Sequence, residues 1–172
     1  VLTADYGRHA GLVRGGASPK MRGIMQPGNR VRVSWRARLS EQLGQMQIEL
    51  IQSVPALLLD SPLRLSGVAS MCALLDGALP EREAQPGLFE GSAALLDVIV
   101  LDDDNAGWIE GYVRWELGLL AAVGYRLDLA RCIASGQTSD LAFVSPKSGS
   151  AVARHQAGSF ASRMLALPMF LG

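Results

Sequence analysis

The chain has 172 residues and a formal net charge of zero, with 49% hydrophobic and 19% charged residues. This length suits one medium or two small domains, and the composition excludes a disordered chain, which combines low hydrophobicity with high net charge. No apolar run approaches the roughly 18 residues that a membrane span needs, and two cysteines cannot form a disulfide framework, so a reducing, cytoplasmic location is expected.

Residues 1–54 have the alternating patterns of short β-strands, separated by turn signals. Val1–Asp5 and Ala10–Arg14 predict two short strands. The clearest strand is Asn29–Ala37, in which apolar side chains alternate with basic and polar ones, and residues 45–50 predict its hairpin partner. Short strands joined at this spacing by glycine and proline turns predict a small barrel.

The charge is divided unevenly along the chain. Residues 1–38 carry a net +7 and residues 39–172 a net −7. A one-sided cluster of cations favours a polyanion as ligand, and a solvated basic surface is the alternative. The candidate contacts for nucleic-acid phosphates are Arg8, Arg14, Lys20, Arg22, Arg30, Arg32, Arg36 and Arg38.

From Pro55 onward the pattern becomes helical. A helix is predicted to start at Pro62 and to end between Gly77 and Pro80, and a second is predicted over residues 87–101. A third helix is predicted over Ala106–Val123, and its apolar residues cover so much of the circumference that it should be a buried central helix. The acidic loop 102–105 is predicted to cap this third helix rather than to bind a cation.

The last part of the chain predicts a small hairpin and a terminal helix. Its strands are Leu141–Val144 and Ala151–Ala153, which a proline- and glycine-containing turn joins. The apolar tail Ser162–Leu171 predicts a helix that ends at Pro168.

The usual enzyme motifs are missing from the sequence, and no catalytic activity is expected. Residues 15–20 resemble a phosphate-binding loop only loosely, because Pro19 removes an amide donor that such a loop would need. Cys132 and His155 could form a nucleophile–base pair, but no orienting carboxylate is evident. A structural zinc needs four nitrogen or sulfur ligands, and Cys132 stands alone in a CxxC-like run, so neither a metal nor another cofactor is expected.

Four blocks of the sequence are distinctive: Thr3–Gly16, Met25–Gly28 with the basic strand that ends at Trp35-Arg36, Val144–Gly149, and Arg114–Cys132, which is the most specific. Together these blocks resemble the bacterial recombination mediator family RecO. The blocks are collinear over nearly the whole chain. The resemblance implies an α+β fold with an N-terminal OB-fold barrel.

The family's organisation maps onto this sequence with two departures. It implies an OB-fold nucleic-acid-binding domain over residues 1–54 and an α-helical domain over 55–172, with a degenerate zinc-finger-like hairpin at about 132–156. The first strand of the family's barrel would precede Val1, so we expect an N-terminally truncated barrel with an open edge. The family's zinc cysteines are absent apart from Cys132, so the hairpin is expected to be zinc-less.

The resemblance implies a non-enzymatic mediator of recombinational DNA repair, cytoplasmic and associated with the nucleoid. Such proteins bind single- and double-stranded DNA and anneal complementary strands. They act with RecR, and with the C-terminal tail of single-stranded-DNA-binding protein, to load the RecA recombinase. Candidate partner-binding residues are Arg114, Arg126 and Arg131, for which helix capping or surface solvation is an equal alternative.

The basic strand supplies a mechanism for the first step, because phosphate contacts bind DNA independently of sequence. Reversing the charge of Arg32 and Arg36 is therefore expected to abolish annealing while leaving the fold intact. Trp35 alternates away from the arginines and is expected in the core rather than as a base-stacking platform, for which Tyr6 is the better candidate. A protein-interaction scaffold with weak or no DNA binding is the alternative function.

Overall fold

The computed structural model describes residues 1–102 and 106–172, which pack as two units, residues 1–115 and 116–172. The predicted domain boundary between residues 54 and 55 stays a prediction. The elements of the first unit are β1 (Leu2–Thr3), β2 (Gly7–Arg8), β3 (Leu12–Val13), α1 (Pro19–Ile24), β4 (Arg30–Arg36), β5 (Gln45–Gln52), α2 (Val54–Leu57), α3 (Pro62–Ala78), α4 (Pro86–Leu101) and the start of α5 (Ala106–Ala122).

β4 and β5 form the antiparallel hairpin that their alternation predicts, with Val33 opposite Ile48 and Trp35 opposite Met46. β3 pairs in parallel with the start of β5, so the strand order of this sheet is β3–β5–β4. β1 and β2 form a separate two-stranded sheet. Among the described residues these strands do not close into the barrel that the turn spacing predicts.

α3 and α4 begin and end close to their predicted bounds. Their packing includes the side chain of Arg64 on α3, which donates to the carbonyl oxygens of Ile99 and Asp102 at the end of α4, at 3.3 and 2.9 Å. The last carbonyls of a helix have no partner within the helix, so these bonds satisfy α4 where it ends. The buried apolar side chains of the first unit are Met46, Val54, Leu58, Val68, Met71, Leu75, Leu79, Leu88, Leu95, Leu96, Ile99, Trp108 and Trp115.

The prediction that α5 is a buried central helix is correct for one side of the helix only. Ile109 and Leu120 are exposed, whereas Trp108, Trp115 and Leu119 are buried. Apolar composition all round a helix does not select the buried face, and the two tryptophans, which have the most area to remove from water, lie inside. The indole Nε1–H of Trp115 donates to Ser92 Oγ at 2.9 Å, so its polar edge is satisfied within the core.

Asp102 is the residue of the predicted acidic cap of α5 that the structure describes. The carboxylate of Asp102 accepts a hydrogen bond from the backbone N–H of Trp108 at 2.7 Å, in the first turn of α5. A carboxylate in this place satisfies an N–H that lacks a helical partner. Residues 103–105 lie outside the described residues.

The second unit contains the end of α5 and a three-stranded sheet of order β7–β6–β8. Its elements are β6 (Leu141–Val144), β7 (Ala151–Ala153), α6 (Arg154–Ala157), a 3₁₀ helix (Gly158–Arg163), β8 (Leu165–Ala166) and a second 3₁₀ helix (Met169–Leu171). The predicted strands β6 and β7 are confirmed. Among the described residues, no helix is both long enough and apolar enough to cross a membrane.

The prediction that the tail forms a helix from Ser162 to Pro168 is wrong. Two short 3₁₀ helices flank the strand β8, which pairs with the free edge of β6. The apolar run buries Leu167 in a cluster with Val144 and Ala151. An apolar run of this length fits a short strand as well as a helix turn, and the open sheet edge decides between them.

Candidate nucleic-acid interface

The solvent face of the β4–β5 hairpin carries the predicted basic row. Arg32 and Arg36 are exposed on it, and Glu49 and Gln45 lie directly opposite them on β5. Arg32 Nη1 lies 3.1 Å from Glu49 Oε2, and both side chains are about 70% exposed. An exposed pair of this kind is worth at most about 1 kcal/mol, yet it places a negative charge beside Arg32.

Two exposed arginines lie together at the end of the hairpin. Arg36 closes β4 and Arg38 follows it in the hairpin loop, which we define as residues 37–44. Both side chains are exposed and have no hydrogen bond or ion pair among the described residues. With Gln42, Gly44 and Gln45 they line an open cleft of about 310 Å³. Two unpaired guanidinium groups beside a cleft suit a phosphate, which they can bind with several donors.

Three further candidate cations lie nearby in the chain. Arg14 directly follows β3, and Lys20 and Arg22 lie on α1. All are exposed, and within the described part of the chain their side chains make no hydrogen bond or ion pair. α1 begins at Pro19, where Ser18 Oγ accepts from the N–H of Met21. Lys20 and Arg22 are about 200° apart around this helix, so they project to opposite sides. At most one of the two can therefore face the same side as Arg14.

Arg8 and Arg30 are engaged with acidic residues of the helical region. Arg8 Nη1 lies 3.2 Å from Asp76 Oδ1, and its Nε–H donates to the carbonyl of Leu79 at 2.9 Å. Arg30 Nη2 lies 2.7 Å from Asp97 Oδ1 and 2.8 Å from the carbonyl of Ala93. A register shift between Arg30 and Val31 separates Arg30 from the row that strict alternation predicts. Arg8 thus joins β2 to α3, and Arg30 joins β4 to α4. The carboxylates of Asp76 and Asp97 offset much of their positive charge.

Three aromatic rings meet beside the hairpin loop. The ring of His9 packs edge-on against Trp35 with centroids 4.8 Å apart, and Tyr6 approaches the other side of His9 at 6.4 Å. Trp35 is half-buried, and its Nε1–H donates to the carbonyl of Leu43 at 2.9 Å. Tyr6, at the tip of the β1–β2 turn, is two-thirds exposed. Of these rings, Tyr6 alone offers an open face to a base.

Burial lowers the pKa of His9, and the nearby Arg82 guanidinium lowers the pKa further. Both ring nitrogens are buried without a hydrogen-bond partner among the described residues. A histidine whose pKa is lowered by folding binds a proton less readily in the folded state than in the unfolded state. Its contribution to stability is therefore present above its ordinary pKa of about 6.5 and is lost as the pH falls below it.

We expect the free energy of unfolding to decline more steeply between pH 6.5 and pH 5 in the wild type than in His9→Phe, which keeps the aromatic packing and removes both nitrogens. Denaturant titrations across this range measure the difference. His155→Phe is the matched control, because His155 is exposed on α6 and its replacement leaves the buried ring of His9 in place. If the free energy of unfolding had the same pH dependence in the wild type and in His9→Phe, His9 would not be the group responsible for the decline.

The predicted partner-binding residues do not form one cluster within a unit. Arg114 is exposed on α5 in the first unit, and Arg126 and Arg131 are exposed in the second. Arg131 precedes Cys132, which is buried and accepts a hydrogen bond from the N–H of Ala153 at 3.3 Å. Hydrogen bonds from Ser135 and from the backbone lower the pKa of Cys132 to about 7. No group of three or more His, Cys, Asp or Glu side chains that could hold a metal occurs among the described residues.

Sequence reasoning missed Arg82, which lies in the loop between α3 and α4. Its guanidinium carbon is 5.7 Å from the centroid of the Trp35 ring, and its Nη2–H donates to the carbonyl of Gln42 at 2.7 Å. Arg82 is outside the basic N-terminal segment and flanked by Glu81 and Glu83. No local pattern therefore distinguishes it from an ordinary solvated cation.

Comparison with known proteins gives two family matches and many close relatives. Residues 1–54 match the family model Recombination protein O N terminal, and residues 59–172 match Recombination protein O C terminal. The DNA repair protein RecO of Rhodospirillum centenum is 49% identical over 99% of this chain and 68% of its own length. The proteins of the same name from Rhodospirillum rubrum and Cereibacter sphaeroides are 44% and 48% identical, over 99% of this chain and 69% and 70% of their own lengths.

Proposed function

Because the chain belongs to the RecO family of DNA repair and recombination proteins, we propose that it binds single- and double-stranded DNA through the exposed cations of its N-terminal part and anneals complementary strands. The observation that carries this proposal is the hairpin end, where Arg36 and Arg38 stand exposed beside an open cleft. Neither has an acidic partner among the described residues. We infer that residues 1–54 correspond to the OB-fold that the family resemblance implies.

The chemistry of the surface supports sequence-independent binding. Five cations are exposed and make no ion pair with any residue that the structure describes: Arg14, Lys20, Arg22, Arg36 and Arg38. They can therefore exchange water and counterions for phosphates without first breaking such a pair. Arg8 and Arg30 are held by Asp76 and Asp97, so we assign them to the structure rather than to DNA. Arg32 can contact DNA once its exposed pair with Glu49 opens.

Annealing follows from the same charge. Two complementary strands repel each other through their phosphates, and cations that contact both strands lower this repulsion. Bases remain free to pair when the protein holds backbones rather than base edges. Tyr6, two-thirds exposed at the β1–β2 turn, can stack on an unpaired base at the rim of the surface.

Partner contacts fall to the remainder of the chain in this proposal. The second unit exposes Arg126 and Arg131, which suit the acidic tail of single-stranded-DNA-binding protein. RecR is the further partner that the family implies for loading RecA. The protein performs no covalent chemistry in this scheme, because annealing and loading need binding energy alone.

The test is an annealing assay with two complementary strands of about 40 nucleotides, one with a fluorophore and one with a quencher. We expect the protein to accelerate the loss of fluorescence, and we expect the acceleration to disappear at high salt, because phosphate contacts are screened. No acceleration, together with no change in the fluorescence anisotropy of either labelled strand, would contradict the proposal and favour the protein-interaction scaffold.

A further inference from the structure

Arg82 is held in an unusual backbone conformation at the point where a helical loop meets the N-terminal strands. Its φ is +61°, in the left-handed region that residues other than glycine seldom adopt. The backbone N–H of Arg82 donates to the carbonyl of Arg8 at 2.8 Å. The preceding residue, Glu81, forms an isolated parallel β-bridge with Arg8. These contacts hold Arg82 in a left-handed backbone conformation that an arginine rarely adopts without such support.

This conformation aims the guanidinium group of Arg82 at the hairpin loop. Nη1 donates to the carbonyl of Ser40 and Nη2 to the carbonyl of Gln42, while the group lies over the Trp35 ring. A planar guanidinium can serve two carbonyls and an aromatic face together, whereas a lysine ammonium cannot reproduce this fork. Arg82 therefore joins two points of the loop to the ring at its base.

The hairpin loop has few other anchors. Trp35 Nε1–H donates to the carbonyl of Leu43, and the N–H of Gln42 donates to the carbonyl of Leu39 at 3.2 Å, both within the hairpin. At the end of the loop, the backbone N–H of Leu12 on β3 donates to the carbonyl of Gly44 at 2.9 Å. In the part of the chain that the structure describes, Arg82 supplies the side-chain hydrogen bonds that reach the loop from another element. Arg38 lies in this loop and Arg36 directly precedes it, so the position of both depends on how the loop is held.

We propose that Arg82 is a positioning residue for DNA binding, which holds the hairpin loop so that Arg36 and Arg38 keep a fixed spacing around the cleft. The inference rests on the proposed function, which it deepens by naming a residue outside the basic segment. A flexible loop loses conformational entropy when it binds DNA, whereas a loop that is already ordered does not. Ordering the loop in advance therefore increases the affinity without adding a contact to DNA. In this proposal the guanidinium group of Arg82 binds carbonyl oxygens of the loop and does not contact phosphate.

The test compares Arg82→Lys, which keeps the charge but loses the fork, with Arg82→Gln, which loses both. We expect both variants to bind a labelled single strand of about 40 nucleotides about five- to tenfold more weakly than the wild type at 50 mM salt, and to a similar degree. We also expect faster hydrogen exchange at the amides of residues 38–43 in both variants. Arg163→Gln, an exposed cation in the second unit, is the matched control and should bind normally.

Other results separate this inference from the proposed function. If Arg82→Lys binds like the wild type and Arg82→Gln is weak, Arg82 contacts phosphate directly and the positioning role is overturned. Unchanged binding in both variants would also overturn it. If the wild type binds no DNA, the proposed function itself fails. Trp35→Phe removes the donor to Leu43 and provides a second variant, expected to loosen the same loop and weaken binding in the same way.

Discussion

Replacing both Arg36 and Arg38 with glutamate is expected to weaken binding of single-stranded DNA by at least about 100-fold at 50 mM salt. Each residue is exposed beside the cleft and free to make a charge-assisted hydrogen bond with a phosphate, worth about 1.5 kcal/mol or more. Two such losses correspond to about two powers of ten in affinity, and the new negative charges add repulsion. Fluorescence anisotropy of a labelled strand measures the change.

The control for this pair is the double variant Lys147→Glu with Arg163→Glu, which alters net charge by the same amount in the second unit. We expect it to retain most of the wild-type affinity. Equal losses in the two double variants would mean that net charge, and not the hairpin end, controls binding. We prefer Arg36 and Arg38 to the pair Arg32 and Arg36, because a glutamate at position 32 would lie opposite Glu49 and weaken the hairpin itself.

Gly7→Ala is expected to lower the free energy of unfolding by about 3 kcal/mol or more. Gly7 is buried with φ +61°, and a Cβ there would lie 1.8 Å from the carbonyl oxygen of Glu83. The left-handed conformation costs an alanine about 1–2 kcal/mol, and the overlap with a backbone atom forces the strand and the loop apart at further cost. Denaturant unfolding monitored by circular dichroism measures the loss.

Gly15→Ala is the matched control for Gly7→Ala. Gly15 has φ +66°, and nothing lies within 4 Å of the position its Cβ would occupy. Its substitution therefore carries the conformational cost alone, about 1–2 kcal/mol. If the two variants lost equal stability, the close contact between β2 and the loop before α4 would not be a feature of the folded protein.

The sequence predicted elements wherever a local periodicity was strong. The β4–β5 hairpin, the β6–β7 hairpin and the bounds of α3 and α4 follow from alternation, from turn residues and from Pro62 and Pro86 at the helix starts. The terminal helix failed because β8 forms by pairing with β6, a contact that no local pattern reveals. The burial of α5 was not predicted correctly because its apolar residues lie all round the helix. They therefore do not indicate which side packs against the core.

The candidate interface was predictable only as a cluster of charge. Alternation correctly places Arg32 and Arg36 on one face, but it cannot anticipate the register shift that separates Arg30 from them. The ion pairs of Arg8 with Asp76 and of Arg30 with Asp97 join residues more than 60 positions apart. The same applies to Arg82, whose contacts with Ser40 and Gln42 depend on the tertiary fold.

The measurement that tests the central claim most directly is the salt dependence of single-stranded DNA binding. Arg36, Arg38, Arg14 and one cation of α1 provide about four phosphate contacts, and each contributes about −0.7 to the slope of log K against log salt concentration. We expect a slope of about −3 for the wild type, reduced by about 1.4 when Arg36 and Arg38 are both replaced with glutamine. A flat slope, or the same slope in the wild type and this variant, would contradict DNA binding at the hairpin end.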